Sequence, residues 1–269
     1  MTLGADCTNK KELYRALFAE FLGMTLFVFA GCGAILSSGE SNNMDGMVNN
    51  TSRLMPIAMS FGIGAVVILY CIAGISGGHM NPAVTFFLMC CKKVSPGRAG
   101  AYIAVQMLGG IVGALILWMA TSETGVHPYS LGATHLIDRM TGPQGFLLEF
   151  MGTLLLCLTV LFTEVKVGGP TDGKPNLSLL CIGLSIFVAH IVLVPFTGCG
   201  INPARTFGPS LVGVMVEHVS DSEVFFGEDC WIYYLGPIAG ALAATGCYHI
   251  FDEEEEEKLM AQPDSQSEL

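Results

Sequence analysis

The chain has 269 residues, of which 52% are hydrophobic and 13% are charged, and its mean hydropathy is +0.58. This composition is typical of a membrane protein with several spans and excludes an ordinary soluble domain, in which about 25% of residues are charged. The formal net charge of −11 does not indicate a basic partner, because eight acidic residues and a single lysine lie in the last 18 residues.

Six apolar runs approach or exceed the ~20 residues that a transmembrane helix needs. They are Leu13–Leu36, Leu54–Ile75, Ala99–Ala120, Phe146–Phe162, Leu177–Val194 and Trp231–Phe251. If both termini are cytoplasmic, nine Lys and Arg residues lie in the cytoplasm and only Arg53 and Arg139 lie outside. Cytoplasmic loops carry such an excess of basic residues, so this orientation is the one we predict.

A motif in the first half of the chain, Ser76–Phe86, recurs 121 residues later as Thr197–Phe207. Asn is a good N-cap and Pro suits the first helical turn, so each copy predicts a loop that enters a helix. The residues concerned are Asn81, Pro82 and Ala83 in the first copy and Asn202, Pro203 and Ala204 in the second. The predicted helices end near Cys91 and Gly213, too early to cross a hydrocarbon core of ~30 Å. We expect two half-membrane helices whose tips meet, packed by their prolines and alanines.

The two halves of the chain also match outside the motifs. Glu20–Leu26 is similar to Glu149–Leu155, and Leu108–Leu115 is similar to Leu235–Leu242. Each half has three spans and one half-helix, so the second half must be inserted upside down relative to the first. The predicted fold is an all-α membrane protein with six transmembrane helices, two re-entrant half-helices and an inverted repeat.

These features divide the chain into three parts. Residues 1–11 form a cytoplasmic N-terminus, and residues 12–251 form a channel domain whose repeats span about 12–120 and 144–251. Residues 252–269 form an acidic tail whose composition predicts disorder.

The paired Asn-Pro-Ala motifs, the glutamates at the start of each repeat and the inverted halves resemble the aquaporins, of the major intrinsic protein family. The resemblance covers about residues 12–251 and implies a passive water pore in each subunit of a homotetramer. It identifies no cofactor.

The motif residues suggest how such a pore would exclude charge. Two helix N-termini bring positive dipole ends to the middle of the membrane, and the amides of Asn81 and Asn202 add donors that point into the passage. A water that donor groups hold from both sides interrupts the hydrogen-bonded file, while the positive field opposes protons and cations. The alternative is a purely structural role, in which both asparagines only cap their helices.

Arg205 is a charge inside an apolar half-helix, so it is expected to face a water-filled cavity or a partner. The resemblance places it at an extracellular constriction, the selectivity filter, together with His190, Cys199 and Phe61, which narrows the opposite wall. It also implies that mercurials block flow at Cys199 and that His79 lines the cytoplasmic vestibule. Glycerol-conducting relatives carry Asp where this chain has Thr206, so we expect water to pass and glycerol to be largely excluded.

Glu20 and Glu149 lie inside apolar runs at equivalent positions of the two repeats. One interpretation is a proton relay of the kind found in secondary transporters. We favour the other interpretation, in which both carboxylates accept hydrogen bonds from the non-helical loops before the half-helices.

Three further sites concern modification or partners. Asn49 and Asn50 lie in overlapping glycosylation sequons of the first extracellular loop. Ser95 follows two lysines in a cytoplasmic loop and is a candidate for phosphorylation. The C-terminal Ser267–Leu269 resembles a ligand of a peptide-binding scaffold domain.

Other functions stay open at this stage. Within the pore class, the alternative is a channel that also passes glycerol, urea or hydrogen peroxide. Outside it, the alternatives are a secondary transporter and a membrane-junction protein. No metal, nucleotide or nucleophile–base motif is found, so we expect no enzyme. The expected location is the plasma membrane, with a vesicle or vacuole membrane as the alternative.

Overall fold

The computed structural model describes residues 9–38, 51–122, 131–165, 177–216 and 227–260. Every regular element in these ranges is helical. The helices are α1 Lys10–Ser37, α2 Thr51–Ser76, α3 Pro82–Cys90, α4 Pro96–Thr121, α5 Gly142–Val160, α6 Leu177–Thr197, α7 Pro203–Val216 and α8 Ile232–Met260. A π-helical turn, Leu161–Val165, continues α5.

Within the described residues, five helices are long and apolar enough to cross a membrane: α1, α2, α4, α6 and α5 with its π turn. They confirm the first five predicted spans, although each helix extends beyond the apolar run at one or both ends. The sixth predicted span is also a helix, α8, whose Tyr and His residues make it less apolar than the other five.

The helix α8 continues beyond the predicted end of the sixth span at Phe251 and through the acidic run to Met260. Glutamate and lysine are good helix formers, and a helix that is already nucleated propagates at low cost. Residues 261–269, which include the predicted scaffold ligand, lie outside the described residues.

The short helices α3 and α7 are the two predicted half-helices, of 9 and 14 residues. Asn81 caps α3, since its Oδ1 accepts a hydrogen bond from the N–H of Ala83 at 2.8 Å. Asn202 caps α7 in the same way, with Oδ1 3.1 Å from the N–H of Ala204. Each proline takes the first helical position, where its missing N–H has no partner to lose.

The two repeats pack on each other in equivalent ways. The half-helix α3 of the first repeat packs on α8 of the second, and α7 of the second packs on α4 of the first. The helices α2 and α6 cross where Gly62 and Gly183 meet. A Cβ at either glycine would lie within 3 Å of the other's carbonyl oxygen. Small residues at this crossing therefore let the two repeats approach each other closely.

Candidate pore site

The loops before α3 and α7 have matching left-handed conformations. In the first loop, Gly78 has φ +66° and Met80 has φ +47°, while in the second Cys199 has φ +57° and Ile201 has φ +45°. These residues occupy the same positions in the two motif copies. Such a backbone makes no regular ladder of its own, so its N–H groups need other acceptors.

Glu20 on α1 supplies these acceptors for the first loop. Its Oε1 accepts from the Ser76 hydroxyl at 2.6 Å and from the N–H of His79 at 2.9 Å. Its Oε2 accepts from the N–H of Met80 at 2.8 Å and from the side-chain amide of Gln106 at 2.8 Å. Both carboxylate oxygens are therefore occupied by the loop and by α4.

Glu149 on α5 does the same for the second loop. Its Oε1 accepts from the Thr197 hydroxyl at 2.7 Å and from the N–H of Gly200 at 2.9 Å, and its Oε2 accepts from the N–H of Ile201. Hydrogen bonds from several donors stabilise a carboxylate whose side chain is fully buried.

The two loops are joined by their asparagines. The amide of Asn81 donates to the carbonyl of Ile201 at 2.9 Å, and the amide of Asn202 donates to the carbonyl of Met80 at 2.8 Å. Each asparagine therefore caps its own half-helix and braces the other repeat's loop. One of the two N–H groups on each amide is used in this brace, and Nδ2 of Asn202 also lies 3.8 Å from the sulfur of Met24, a weak acceptor.

A cavity of about 40 Å³ begins at the two asparagines. His79 and Glu164 contribute polar groups to its wall, and the rest is mainly apolar, as at Leu69 and Ile182. This volume has room for about three waters. His79 is buried, with Nδ1 3.1 Å from the hydroxyl of Thr85.

Phe61, His190, Cys199 and Arg205 form what we call the constriction cluster. The ring of Phe61 stacks on the imidazole of His190, with centroids 4.2 Å apart and planes inclined by 20°. The guanidinium carbon of Arg205 lies 4.8 Å from the centroid of the same ring. None of the four side chains is more than 1% exposed. The resemblance places Phe61 on the wall opposite the polar residues, and in the structure its ring lies directly against His190 and Arg205.

Arg205 is held by the loop between α4 and α5. Its Nη1 donates to the carbonyl of Gly132 at 2.8 Å and lies 3.6 Å from the sulfur of Cys32, and its Nη2 lies 3.5 Å from the carbonyl of Gly198. Its Nε is buried and has no hydrogen-bond partner within the described residues. Within the described residues, this charge is thus held by backbone carbonyls rather than by a carboxylate.

His190 has one bonded and one unbonded ring nitrogen. Nδ1 lies 2.8 Å from the carbonyl of Ile186, which can only accept, so Nδ1 carries the proton. Nε2 is buried without a hydrogen-bond partner in the described part of the chain. In the neutral imidazole this nitrogen is an acceptor within the constriction cluster.

The loop over the constriction carries residues that sequence reasoning missed. Besides Gly132, the hydroxyl of Thr134 donates to that of Thr206 at 3.2 Å. His135 is half-buried next to them, and its burial and the nearby Arg205 charge both lower the pKa of its imidazole. A hydrogen bond to the Ala133 backbone and the charge of Asp138 act in the opposite direction.

The remaining predicted sites lie away from the constriction. Ser95 is the N-cap of α4, where its hydroxyl accepts from the N–H of Arg98 at 3.4 Å. Asn49 and Asn50 lie outside the described residues. Among those residues, no group of three or more His, Cys, Asp or Glu side chains could hold a metal ion.

Comparison with known proteins gives concordant results. The family model described as Major intrinsic protein matches residues 7–248. Probable aquaporin PIP2-8 of Arabidopsis thaliana is 37% identical over 239 residues, which are 88% of this chain and 81% of that protein. Aquaporin PIP2-3 of Zea mays is 35% identical over 254 residues, 92% of this chain and 84% of that protein. The X-ray structure of the aquaglyceroporin from Plasmodium falciparum superimposes with a TM-score of 0.74 at 22% identity, covering 88% of this chain and 95% of that one.

Proposed function

We infer that this chain, which belongs to the major intrinsic protein family, is a passive water channel driven by osmotic gradients. It is a membrane protein with several spanning helices, and its permeant is water. The half-helices α3 and α7 meet at their N-termini, and the adjoining cavity can hold a short file of waters. Permeation needs no chemical step, so the channel would only select and conduct.

The observation that carries this proposal is the reciprocal bond between the two motif loops. It fixes Asn81 and Asn202 at the mouths of two opposed helices, each with a positive dipole end. A water that accepts from the amides of both asparagines cannot also accept from the next water in the file. Proton transfer along the file is thereby interrupted, and the positive field opposes cations. Pro82, Ala83, Pro203 and Ala204 keep the two tips together.

We propose that the constriction cluster excludes glycerol. Phe61 and His190 are bulky, and Arg205 and His190 each have a buried polar nitrogen without a partner in the described residues. A single water can bond these nitrogens, whereas a three-carbon polyol needs a wider opening. Cys199 contributes a small side chain to the same wall, and His79 contributes a polar group to the cavity beyond it.

We propose a scaffold role for Glu20 and Glu149. Both carboxylates are fully buried, and both oxygens of each accept hydrogen bonds from the motif loops. A proton relay would need a carboxylate that is free to exchange partners. These contacts therefore favour a pore over a secondary transporter.

The setting and regulation of the channel are also proposals. We propose a homotetramer in the plasma membrane. We also propose that both termini lie in the cytoplasm, and the excess of basic residues on that side supports this orientation. A phosphate on Ser95 would meet the N-terminal N–H groups of α4, and the positively charged Lys92, Lys93 and Arg98 are its neighbours in the sequence. Equal permeability of Ser95→Ala and Ser95→Asp channels would contradict gating at this site.

Stopped-flow light scattering of proteoliposomes tests the proposed function. Fast shrinkage in a sucrose gradient, with a low activation energy and without fast re-swelling in glycerol, is the expected result. Protein-free vesicles of the same size are the control. Flux that saturates or depends on an ion gradient would instead indicate a transporter, and rapid glycerol re-swelling would indicate a wider pore.

A further inference from the structure

The ring of Phe61 extends from α1 to α6. Phe61 is on α2, but its ring packs directly against Gly31 of α1, and a Cβ built on Gly31 would overlap three atoms of that ring. On α6, the same ring stacks on His190 with centroids 4.2 Å apart. Phe27, one helical turn before Gly31, meets the ring edge-on at 5.4 Å. The ring thus spans the space between the two helices.

This arrangement leaves no path for water beside the ring. A centroid separation of 4.2 Å is direct van der Waals contact between stacked rings, and a water between them would need several ångströms more. The guanidinium of Arg205 also lies against the ring. Phe61 itself is 0% exposed, and Nε2 of His190 and Nε of Arg205 make no hydrogen bond within the described residues. The constriction is closed by an apolar ring that covers two polar groups.

We propose that the Phe61 ring is a gate and that Gly31 is the positioning residue that lets it close. This inference rests on the proposed water channel. Opening requires rotation of the Phe61 side chain out of its stack with His190, which frees the polar nitrogens of His190 and Arg205 for water. The closed position exists only because residue 31 has no side chain. Any larger residue there would occupy the space of the ring, and since His190 is already in contact, the ring would have to leave the stack.

The chain offers a matched control for this idea. Gly33 lies two residues further along α1, and a Cβ there would meet only Leu117, at an ordinary contact distance of 3.5 Å. Gly31→Ala and Gly33→Ala therefore add the same methyl group to the same helix, but only the first reaches Phe61. Both variants should raise the helix propensity of α1 equally.

The experiment compares water and glycerol permeability of proteoliposomes that hold wild type, Gly31→Ala, Gly33→Ala or Phe61→Leu. We expect Gly31→Ala to raise water permeability severalfold and to admit glycerol, while Gly33→Ala behaves as wild type. Phe61→Leu, which stays apolar but is too short to reach His190, should resemble Gly31→Ala. In a Phe61→Leu background, Gly31→Ala should have no further effect, because it acts through the ring.

Two results would overturn the gate. One is a Gly31→Ala channel with wild-type permeability and glycerol exclusion, and the other is an undiminished effect of Gly31→Ala in the Phe61→Leu background. If Gly31→Ala does not fold, Phe61→Leu alone still tests closure, and wild-type permeability in that variant contradicts it. A different pattern would contradict the water channel itself: no water flux above protein-free vesicles in wild type, Gly31→Ala and Phe61→Leu alike.

Discussion

Asn81 and Asn202 each brace the loop of the other repeat: the Asn81 amide lies 2.9 Å from the carbonyl of Ile201, and the Asn202 amide lies 2.8 Å from the carbonyl of Met80. Each asparagine also caps its own half-helix. The two residues that define the motif therefore hold the structure together, in addition to the role in the pore that we propose for them. The alternative interpretation, in which the asparagines only cap their helices, does not account for the contact that joins the two repeats.

Replacing Asn81 by alanine removes a cap and one bond of this brace. We expect the free energy of unfolding to fall by about 1–3 kcal/mol, since the N–H of Ala83 and the carbonyl of Ile201 both lose a buried partner. Asn202→Ala should cost a similar amount, because its contacts are equivalent. Thermal unfolding in detergent measures both, and an unchanged Tm in either variant would contradict the brace.

Glu149→Gln should weaken the second motif loop. The glutamine amide keeps one acceptor oxygen but places a donor against the N–H of Gly200 or Ile201. We expect a loss of about 2 kcal/mol or more in stability. In folded protein, water flux should stay independent of a proton gradient. A gradient-dependent flux in wild type that is lost in Glu149→Gln would support the proton relay instead.

Much of this architecture could be predicted from the sequence because it is encoded locally. Apolar runs, N-caps and a repeated motif predict the helices, the half-helices and the inversion. The hydrogen-bond partners of the motif loops are harder to predict from the sequence. The alignment that pairs Leu108 with Leu235 also pairs Gln106 with Tyr233. In the structure, however, the counterpart of Tyr233 is Tyr102. The Tyr233 hydroxyl donates to the Thr197 carbonyl at 2.8 Å, and the Tyr102 hydroxyl donates to the Ser76 carbonyl at the same distance. The two repeats therefore make the same hydrogen bond from positions one helical turn apart, and this alignment of the halves does not reveal it.

The constriction cluster shows why some contacts cannot be predicted from the sequence. Gly132 has no motif around it, and its contact with Arg205 joins residues 73 positions apart. The closed position of Phe61 depends on a glycine of another helix, and one glycine among 33 carries no signal of its own. Sequence patterns name the residues of the wall, but the distances between them follow from how α1, α2 and α6 pack.

Cys199 should be the site at which mercurials block the channel. It adopts φ +57° where the equivalent residue of the first repeat is Gly78, so the chain tolerates a strained cysteine at the constriction. We expect Cys199→Ser to conduct water and to resist mercurials. Cys32→Ser is the matched control, since Cys32 lies against the same arginine but on α1. Block that persists in Cys199→Ser and disappears in Cys32→Ser would reverse the assignment.

The stability of the protein should fall in mild acid because of His135. Burial holds its pKa below the ordinary value of about 6.5, so near that pH the unfolded chain binds a proton that the folded chain does not. The contribution of the neutral imidazole to stability is therefore complete above the pKa that His135 has in the unfolded chain. It is lost as the pH falls towards the lower pKa that His135 has in the folded protein. Thermal unfolding between neutral and mildly acidic pH should show a smaller decrease in Tm for His135→Gln than for wild type. If Tm falls equally with pH in wild type and in His135→Gln, then His135 is not the cause of the loss of stability.

Replacing His190 by glycine should convert the constriction into one that admits glycerol. The imidazole is the surface on which Phe61 stacks, and its loss removes both a bulky wall and the partner that keeps the ring in place. We expect fast glycerol re-swelling of proteoliposomes and water permeability at least equal to wild type. Val194→Ala, one turn further along the same helix and equally buried, controls for the loss of core volume in α6. If His190→Gly excludes glycerol as wild type does, selection must take place elsewhere, and the apolar cavity beyond the asparagines is then the place to examine, starting with Leu69 and Ile182.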